Sequence, residues 1–226
     1  MNKFTLIAPL LALAMAPTFA HAYEAGDIIV RAGAITVDPN EDSSGVKSPL
    51  GNLGGSATVE SDTQLGLNFA YMMTDHLGIE LLAATPFTHD VGVHGLQGGL
   101  AGLNGGLGDV KQLPPTLSLV YYPLDKNYAF QPYVGVGINY TAFYDANTSS
   151  SAEAKGFSNL DLSDSWGAAA QIGADYMIDD HWMINGQVRY IDIDTNAHVD
   201  LAGVGKLKLD VDVDPWVYMV GLGYTF

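Results

Sequence analysis

The sequence lacks cysteine altogether and is poor in basic residues. None of its 226 residues is cysteine, so neither a disulfide framework nor a thiolate metal site is possible. Lysine and arginine together number 9, against 25 aspartate and glutamate residues, and the formal net charge is −16. Because the binding of nucleic acid requires a basic surface, this composition argues against nucleic acid as a partner.

The sequence also lacks a long apolar segment. After residue 22, no stretch reaches the roughly 18–20 consecutive apolar residues that a membrane-spanning helix needs. The first 22 residues contain one lysine, an apolar run from Phe4 to Phe19 and then Ala20-His21-Ala22, an order typical of a secretory signal peptide. We expect cleavage after Ala22 and one mature domain over residues 23–226.

The mature chain does contain repeated alternation with a period of two residues. In QLGLNFAY, for example, Leu65, Leu67 and Phe69 share one face while Gly66 and Asn68 share the other. Faces opposite the apolar ones are rich in glycine and alanine rather than in charge, which favours the crowded interior of a small closed barrel. The alternation predicts eight strands, at approximately residues 27–37, 62–72, 77–86, 112–122, 130–143, 163–177, 182–195 and 206–226.

The predicted connections alternate in length. Those after strands 2, 4 and 6 are short and contain aspartate or proline, whereas those after strands 1, 3, 5 and 7 are long. An even number of strands then places both ends of the mature chain on the side of the short turns. This arrangement is typical of bacterial outer-membrane barrels, which have short periplasmic turns and long extracellular loops.

Aromatic residues bracket the apolar faces of the last two predicted strands. Trp182 and Tyr190 enclose nine residues, and Trp216 and Phe226 enclose eleven, close to the ~9–11 residues of a tilted membrane strand. Beyond the outer aromatics the same faces turn to aspartate. The sequence therefore predicts an all-β fold, an eight-stranded antiparallel transmembrane β-barrel with short periplasmic turns and long extracellular loops, in the outer membrane of a Gram-negative cell.

Above the membrane the alternation inverts, so that aliphatic residues point inward. Two hypotheses follow: the aliphatic residues pack on one another and keep the extension folded, or they line a channel or pocket for small hydrophobic molecules. We refer to this region as the upper lumen. Its candidate lining residues are Ile35, Val37, Ile191, Ile193, Leu209, Val211 and Val213.

Deeper in the lumen the same parity places charged and amide side chains inward. Charges in so narrow a space need partners, so we expect Arg31, Glu80, Gln171 and Arg189 to form a polar plug. An apolar molecule entering from outside would meet this plug. It would then have to leave sideways into the membrane, which makes lateral exit the predicted mechanism.

The loop GLQGGLAGLNGGLGD, residues 95–109, lacks the spacing of a phosphate-binding loop. Its leucines, Leu96, Leu100, Leu103 and Leu107, are spaced by 4, 3 and 4 residues and would share one helical face. Each intervening glycine costs a helix about 1 kcal/mol, however. Two alternatives follow: a loop whose leucines collapse onto the rim of the barrel, or a mobile apolar lid over the upper lumen.

Other classes of function have weaker signals. His89-Asp90, His94 and His198 could serve an enzyme at the outer rim, but no spacing is diagnostic, so we predict no catalytic residue and no cofactor. Asp210, Asp212 and Asp214, together with Asp192 and Asp194, could bind calcium or magnesium, or bridge to lipopolysaccharide through divalent ions. Carboxylates on the water-facing side of neighbouring strands are commonly solubilising, so we predict no metal site. A non-transporting scaffold, adhesin or receptor for phage or colicin is the main alternative to uptake.

Several blocks of the chain resemble the OmpW family of outer-membrane proteins, including its alkane-import branch. The blocks are AGDIIVRAGAITVDP, LGIELLAATPFTHD, LPPTLSLVYYP, QPYVGVGINYT, DSWGAAAQIGADYMIDDHW and DVDPWVYMVGLGYTF. The resemblance implies an eight-stranded barrel, a hydrophobic upper channel and import of small hydrophobic compounds by lateral diffusion. The final strand, which ends in Phe226, also resembles the signal read by the barrel assembly machinery. Expected partners are therefore that machinery, outer-membrane lipid, lipopolysaccharide and small hydrophobic solutes.

The resemblance also adds Trp166 of the DSW block to the candidate channel lining, because this tryptophan lies near the narrow part of the family's channel. Period-two alternation instead places Trp166 on the outward face with Ala168, so either a bulge intervenes or the residue belongs to the aromatic girdle. The chain departs from the family in its glycine-leucine loop and in the serine-rich segment 147–156.

Overall fold

A computed structural model describes residues 23–49 and 51–226. The proposed signal peptide, residues 1–22, lies outside the described residues, and its cleavage after Ala22 stays a prediction. Within the described ranges, no helix has the length and apolar character needed to cross a membrane.

The described residues form seventeen strands, one 3-10 helix at Gly98–Leu103 and one short α-helix, α1, at Ser150–Ala154. In chain order the strands are β1 (Ile28–Asp38), β2 (Asp42–Ser43), β3 (Lys47–Ser48), β4 (Gly51–Asn52), β5 (Gly54–Val59), β6 (Asp62–Met72), β7 (Leu77–Ala84), β8 (Phe87–Leu96), β9 (Gly105–Leu113), β10 (Thr116–Tyr121), β11 (Phe130–Thr148), β12 (Phe157–Leu162), β13 (Ser165–Met177), β14 (Trp182–Ile191), β15 (Asp194–Leu201), β16 (Gly205–Asp212) and β17 (Trp216–Thr225).

Eight of these strands close into an antiparallel barrel. Their order is β10-β7-β6-β1-β17-β14-β13-β11, and β11 pairs back with β10 to complete the ring. The first and last strands, β1 and β17, pair from Ile29↔Thr225 to Asp38↔Trp216. Closure leaves none of the eight strands with an unpaired edge at the level of the membrane. The predicted eight-stranded barrel is confirmed.

The outward faces of the barrel are apolar, as the alternation predicted. Leu65, Ile172 and Val220 are each more than half exposed, which in water would be costly but is expected where lipid covers the wall. Aromatic side chains pair at both ends of this band. Tyr190 packs on Trp216 at the outer end with ring centroids 5.3 Å apart, and Trp182–Tyr224 does so at the periplasmic end at 5.0 Å.

Three predicted strands are broken in the structure. The strand predicted at residues 112–122 is interrupted at Pro114-Pro115, because neither proline has a backbone N–H to donate to a neighbouring strand. The strand predicted at residues 206–226 is interrupted before Trp216. At this point Asp214 has a left-handed backbone conformation with φ of 38°, and Pro215 follows it. The prediction at 182–195 ends at Ile191 and resumes at Asp194. At each break the chain crosses between the barrel and an extracellular extension.

The extension consists of two sheets that stand on the outer rim. In one, β9, β8 and β5 follow the outer part of β11; in the other, the order is β12-β15-β16-β3-β4, with β2 on β16. Aliphatic side chains of both sheets pack together, among them Val93, Leu96, Leu160 and Val199. Strands β11 and β12 belong to different sheets, so the wall of the extension is discontinuous between them.

Candidate functional site

The centre of the barrel is filled by buried charges. Arg31 on β1 donates from Nη2 to Asp175 Oδ2 at 2.6 Å and from Nε to Asp175 Oδ1 at 3.0 Å. Its Nη1 donates to Asn68 at 3.1 Å and lies 3.4 Å from Glu80. The side chains of Arg31, Asp175 and Glu80 are 0% exposed. A two-pronged contact of this kind holds the guanidinium in a fixed orientation.

The second arginine completes the polar plug from β14, which is separated from β1 by one strand, β17. Arg189 Nη2 on β14 donates to Glu80 Oε1 at 2.7 Å and to the Gln171 side chain, and Gln171 Nε2 donates to the same Glu80 oxygen at 2.8 Å. Glu80 therefore bridges both arginines. Together with Asp175 the network holds two positive and two negative charges, so its formal charges cancel. The structure brings all four predicted plug residues together.

Asp175 was not among the predicted plug residues. Its parity on β13 is that of Gln171, four residues away, so its inward orientation was predictable. Charge balance offered a second signal, since two inward arginines had only Glu80 as a partner. Asp175 also accepts hydrogen bonds from Tyr23 at 2.6 Å and from Asn185, its partner on the neighbouring strand β14, at 2.8 Å. These contacts join residues 152 and 10 positions apart in the chain, which is why local sequence patterns did not reveal them.

An apolar layer lies directly outward of the plug. It contains six of the predicted upper-lumen residues, all buried: Ile35, Val37, Ile191, Ile193, Val211 and Val213. On β1, Ile35 follows Arg31 on the inward face, and on β14 Ile191 follows Arg189. Phe87, Leu82, Met219, Ala169 and Val217 complete the layer. Ile35, Val37, Ile191 and Ile193 thus pack against one another, as the packing hypothesis expected.

Two adjoining apolar cavities lie in the extension. They enclose about 440 and about 600 Å³ of space free of protein atoms, part of it open to solvent. We call them the outer and the inner cavity, respectively. Five residues line both: Gly92, Leu107, Leu160, Ala197 and Leu209. Val211 and Val213 line the inner cavity, and Leu96 the outer one. These residues match the pocket hypothesis.

The glycine-leucine loop is a β-hairpin with a short 3-10 helix at its tip. No single helix therefore carries all four leucines, and the shared helical face is wrong. Leu96 ends β8, Leu100 and Leu103 lie in the 3-10 helix, and Leu107 belongs to β9. Left-handed glycines interrupt any longer helix, including Gly98 with φ of 62°. All four leucines nevertheless pack on the same apolar cluster of the extension. Leu100 and Leu103 do so without lining either of the two cavities.

Trp166 does not line the channel, and its inclusion among the candidates is wrong. The side chain is 72% exposed on the outer wall. No bulge intervenes, because β11 and β13 stay in register from Phe130↔Tyr176 to Thr141↔Ser165. The ring packs on Tyr140 with centroids 4.7 Å apart. Trp166 is therefore a girdle residue, as period-two alternation favoured.

A cleft opens through the discontinuity between β11 and β12. It encloses about 310 Å³. Val110, Phe143, Leu160 and Leu162 line both this cleft and the inner cavity. Its lower edge is fixed by Asp164, which accepts hydrogen bonds from Phe143 N at 2.9 Å and Tyr140 Oη at 2.6 Å. These hydrogen bonds keep the pKa of the Asp164 carboxyl below its usual range.

The three histidines considered for catalysis do not share a site. His89 is buried and lines the inner cavity, while Asp90 beside it is exposed. His94 is exposed on β8. On β15, His198 lies 3.6 Å from the Asp161 carboxylate.

Four of the five aspartates considered for metal binding fall into two groups. Oxygens of Asp192, Asp194 and Asp214 lie within 4.8 Å of one another, whereas Asp210 pairs with Lys47 at 2.5 Å. Burial, followed by the neighbouring carboxylates, raises the pKa of Asp194. Exposed acidic groups of this kind are common without a metal, and their position on the outer rim agrees with a solubilising role.

Titration of His89 gives a test of the inner cavity's wall. Burial lowers the pKa of His89, against the smaller opposing effects of the Glu60 carbonyl and the Asp62 and Asp90 carboxylates. An opened β8–β9 hairpin regains the ordinary pKa of about 6.5 and therefore binds more protons than the closed form. The free energy that favours the closed hairpin should therefore be largest above about pH 7. It should become smaller as the pH falls below about 6.5.

Hydrogen-exchange protection of the β8 and β9 amides, corrected for intrinsic exchange rates, measures this effect. The variant His89→Gln should lose the dependence between pH 7 and pH 5. Equal pH dependence in the two proteins would show that His89 is not responsible.

Comparisons with known proteins agree with this architecture. The OmpW family model matches residues 24–226. The chain is 45% identical to outer membrane protein W of Escherichia coli strain K12 over 226 residues, all of both chains. It is 27% identical over 173 residues to a dibenzothiophene metabolism operon protein, PahQ, of Pseudomonas aeruginosa, covering 76% of each.

Among solved structures, the crystal structure of the outer membrane protein OprG from Pseudomonas aeruginosa superposes with a TM-score of 0.86. The two share 52% identity, over 92% of this chain and 99% of that one. Outer membrane protein W and OprG are outer-membrane proteins and the chain itself closes into a barrel, so it lies in the outer membrane of a Gram-negative cell. The chain belongs to the OmpW family.

Proposed function

We propose that this barrel takes up small hydrophobic molecules from outside the cell through its upper lumen and releases them sideways into the outer membrane. The observation that carries the proposal is the pair of adjoining apolar cavities above a charge-balanced, buried plug. Concave, mostly apolar sites suit small lipophilic ligands. The name of one relative refers to dibenzothiophene metabolism, and dibenzothiophene is itself a small apolar molecule.

The plug and the cleft together support lateral exit. A lipophile in the inner cavity faces buried ionic groups below, and leaving through them would require an apolar solute to separate buried ion pairs. The cleft beside it is bordered by Phe143, Leu160 and Leu162, which also line the inner cavity, and by Asp145 and Asp161. Its lower edge adjoins the Tyr140–Trp166 pair, and aromatic pairs of this kind mark the membrane interface. A molecule passing through the cleft would thus reach lipid at the outer leaflet.

On this proposal the protein is a channel or receptor without catalytic activity. Lipopolysaccharide and the barrel assembly machinery are proposed partners of the outer wall and of the final strand. Uptake of radiolabelled n-octane by Gram-negative cells, with and without the chain, tests the proposal. Faster uptake in cells that carry it supports transport, whereas equal uptake favours a scaffold, adhesin or phage receptor.

Closing the cleft tests lateral exit separately. Ala146 and Asp161 line it from opposite sheets, and the chain has no other cysteine to compete with an introduced pair. We expect a disulfide in Ala146→Cys/Asp161→Cys to reduce octane uptake to the level of cells without the protein. Mass spectrometry verifies the bond, and the same variant after reduction is the matched control. Unchanged uptake in the oxidised protein would contradict exit through this cleft.

A further inference from the structure

The inner cavity is apolar except for a few side chains, and two of these form a buried polar pair. His89 and Gln112 both line the cavity and are each 2% exposed. Their Nε2 atoms lie 2.8 Å apart. The His89 ring is also stacked against Phe87, with centroids 6.1 Å apart and an interplanar angle of 21°. The imidazole is thus held in place from two sides.

The hydrogen bonds of His89 determine which way the Gln112 amide points. His89 Nδ1 lies 2.6 Å from the Glu60 carbonyl oxygen, which can only accept, so Nδ1 carries the proton. In the neutral ring Nε2 is then an acceptor. Its partner must be the amide nitrogen of Gln112, which places Oε1 on the other side of the amide group.

Gln112 Oε1 is left without a donor. Among residues 23–49 and 51–226, no hydrogen bond reaches this oxygen, and the residue's single side-chain bond is the one to His89. Two threonine hydroxyls also line the cavity, those of Thr58 and Thr195, and the Thr195 hydroxyl donates to the Ser163 carbonyl at 2.6 Å. A carbonyl oxygen that borders an apolar cavity without a donor from the protein can accept a hydrogen bond from the hydroxyl of a ligand.

The surroundings also select the charge of such a ligand. The Asp62 and Asp90 carboxylates are close enough to act electrostatically on His89, and the whole chain carries a net charge of −16. A carboxylate headgroup would be repelled and would present only acceptors to Gln112 Oε1. A hydroxyl is neutral and has the proton that this oxygen lacks.

We infer that the upper lumen prefers neutral lipophiles that carry one hydroxyl group, such as medium-chain alcohols or phenols, over plain hydrocarbons and fatty acids. The hydroxyl donates to Gln112 Oε1 in the inner cavity. The apolar tail lies against Leu107, Leu160 and Leu209, which connect the inner to the outer cavity. Gln112 is then a residue that determines specificity, and His89 positions its amide.

This inference rests on the proposed function, since it assigns a ligand class to the same cavities. The test uses the full mature chain in lipid nanodiscs and titrates 1-octanol, n-octane and octanoate, with empty nanodiscs as the correction for partition into lipid. We expect 1-octanol to bind roughly tenfold more tightly than either of the others, the effect of one buried hydrogen bond. Equal affinity for 1-octanol and n-octane, or for 1-octanol and octanoate, would overturn the inference while leaving the proposed function intact. If none of the three binds, the proposed function fails as well.

Variants separate recognition from misfolding. Gln112→Leu keeps the approximate volume and should reduce the preference for 1-octanol over n-octane to about onefold, as expected when the acceptor is removed. The double variant His89→Phe/Gln112→Leu removes both polar partners together and should bind n-octane at least as well as the original protein does. Thr195→Val is the matched control in the same cavity and should keep the preference. A preference retained in Gln112→Leu, or lost in Thr195→Val, would contradict the assignment.

Discussion

Replacing Asp175 with alanine is expected to lower the free energy of unfolding by about 3–5 kcal/mol, the cost of removing one partner from a buried ion pair. The variant leaves Arg31 without its two shortest contacts to a carboxylate, at 2.6 and 3.0 Å. Glu80 cannot take over, because it lies 3.4 Å from Arg31 and already accepts hydrogen bonds from Arg189 and Gln171. Tyr23 and Asn185 lose an acceptor in the same step.

Urea unfolding in lipid vesicles, followed by tryptophan fluorescence, measures this loss. Asp125→Ala is the control, because Asp125 is an exposed aspartate in the turn between β10 and β11. Its replacement should change the free energy of unfolding by about 0.5 kcal/mol or less. If the two variants are equally stable, the plug does not contribute to stability as its geometry implies.

Replacing Ala197 with tryptophan is expected to reduce uptake of n-octane to that of cells without the protein. Ala197 lines both cavities, so an indole at this position occupies the space where they join. Gly92 also lines both cavities but is a poorer choice. A Cβ atom there would lie 2.8 Å from Thr58 Oγ1 and 2.9 Å from the Gly105 carbonyl oxygen, so any substitution would distort the wall.

Ala154→Trp is the matched control for this variant. Ala154 is an exposed residue in α1, so the same side chain is added outside the cavities. Migration of unheated and heated samples on gels verifies that both variants fold. We expect Ala154→Trp to transport at the original rate. Transport by Ala197→Trp at that rate would show that the cavities are not on the route.

The membrane-level barrel could be predicted from the sequence because lipid imposes a strict alternation. Each residue of a barrel strand faces either lipid or lumen, so parity alone places Val220 outward and Met219 inward, and the structure agrees. The same rule correctly oriented Trp166. The family resemblance, which implied a place near the narrow part of the channel, is wrong for this residue. Local parity was the stronger guide here because β11 and β13 pair without a bulge.

The extension and the full plug could not be predicted in the same way. Above the membrane, strand breaks depend on Pro114, Pro115 and Pro215, and parity does not say which sheet a segment joins after a break. The glycine-leucine loop had a helical spacing but folded as a hairpin, since packing of its leucines outweighed the weak helix propensity. The pairing of Arg31 with Asp175, and of His89 with Gln112, depends on contacts across the lumen or between strands, which only the assembled fold defines.

The most direct test of the central claim is to locate a lipophile in the protein. Crystals soaked with 1-bromooctane, measured at the bromine absorption edge, give the position of the bromine atom from its anomalous signal. The account expects a peak inside the extension, within contact distance of Leu107, Leu160 and Leu209, and its loss in Ala197→Trp. Bromine found on the lipid-facing outer wall and absent from both cavities would contradict it.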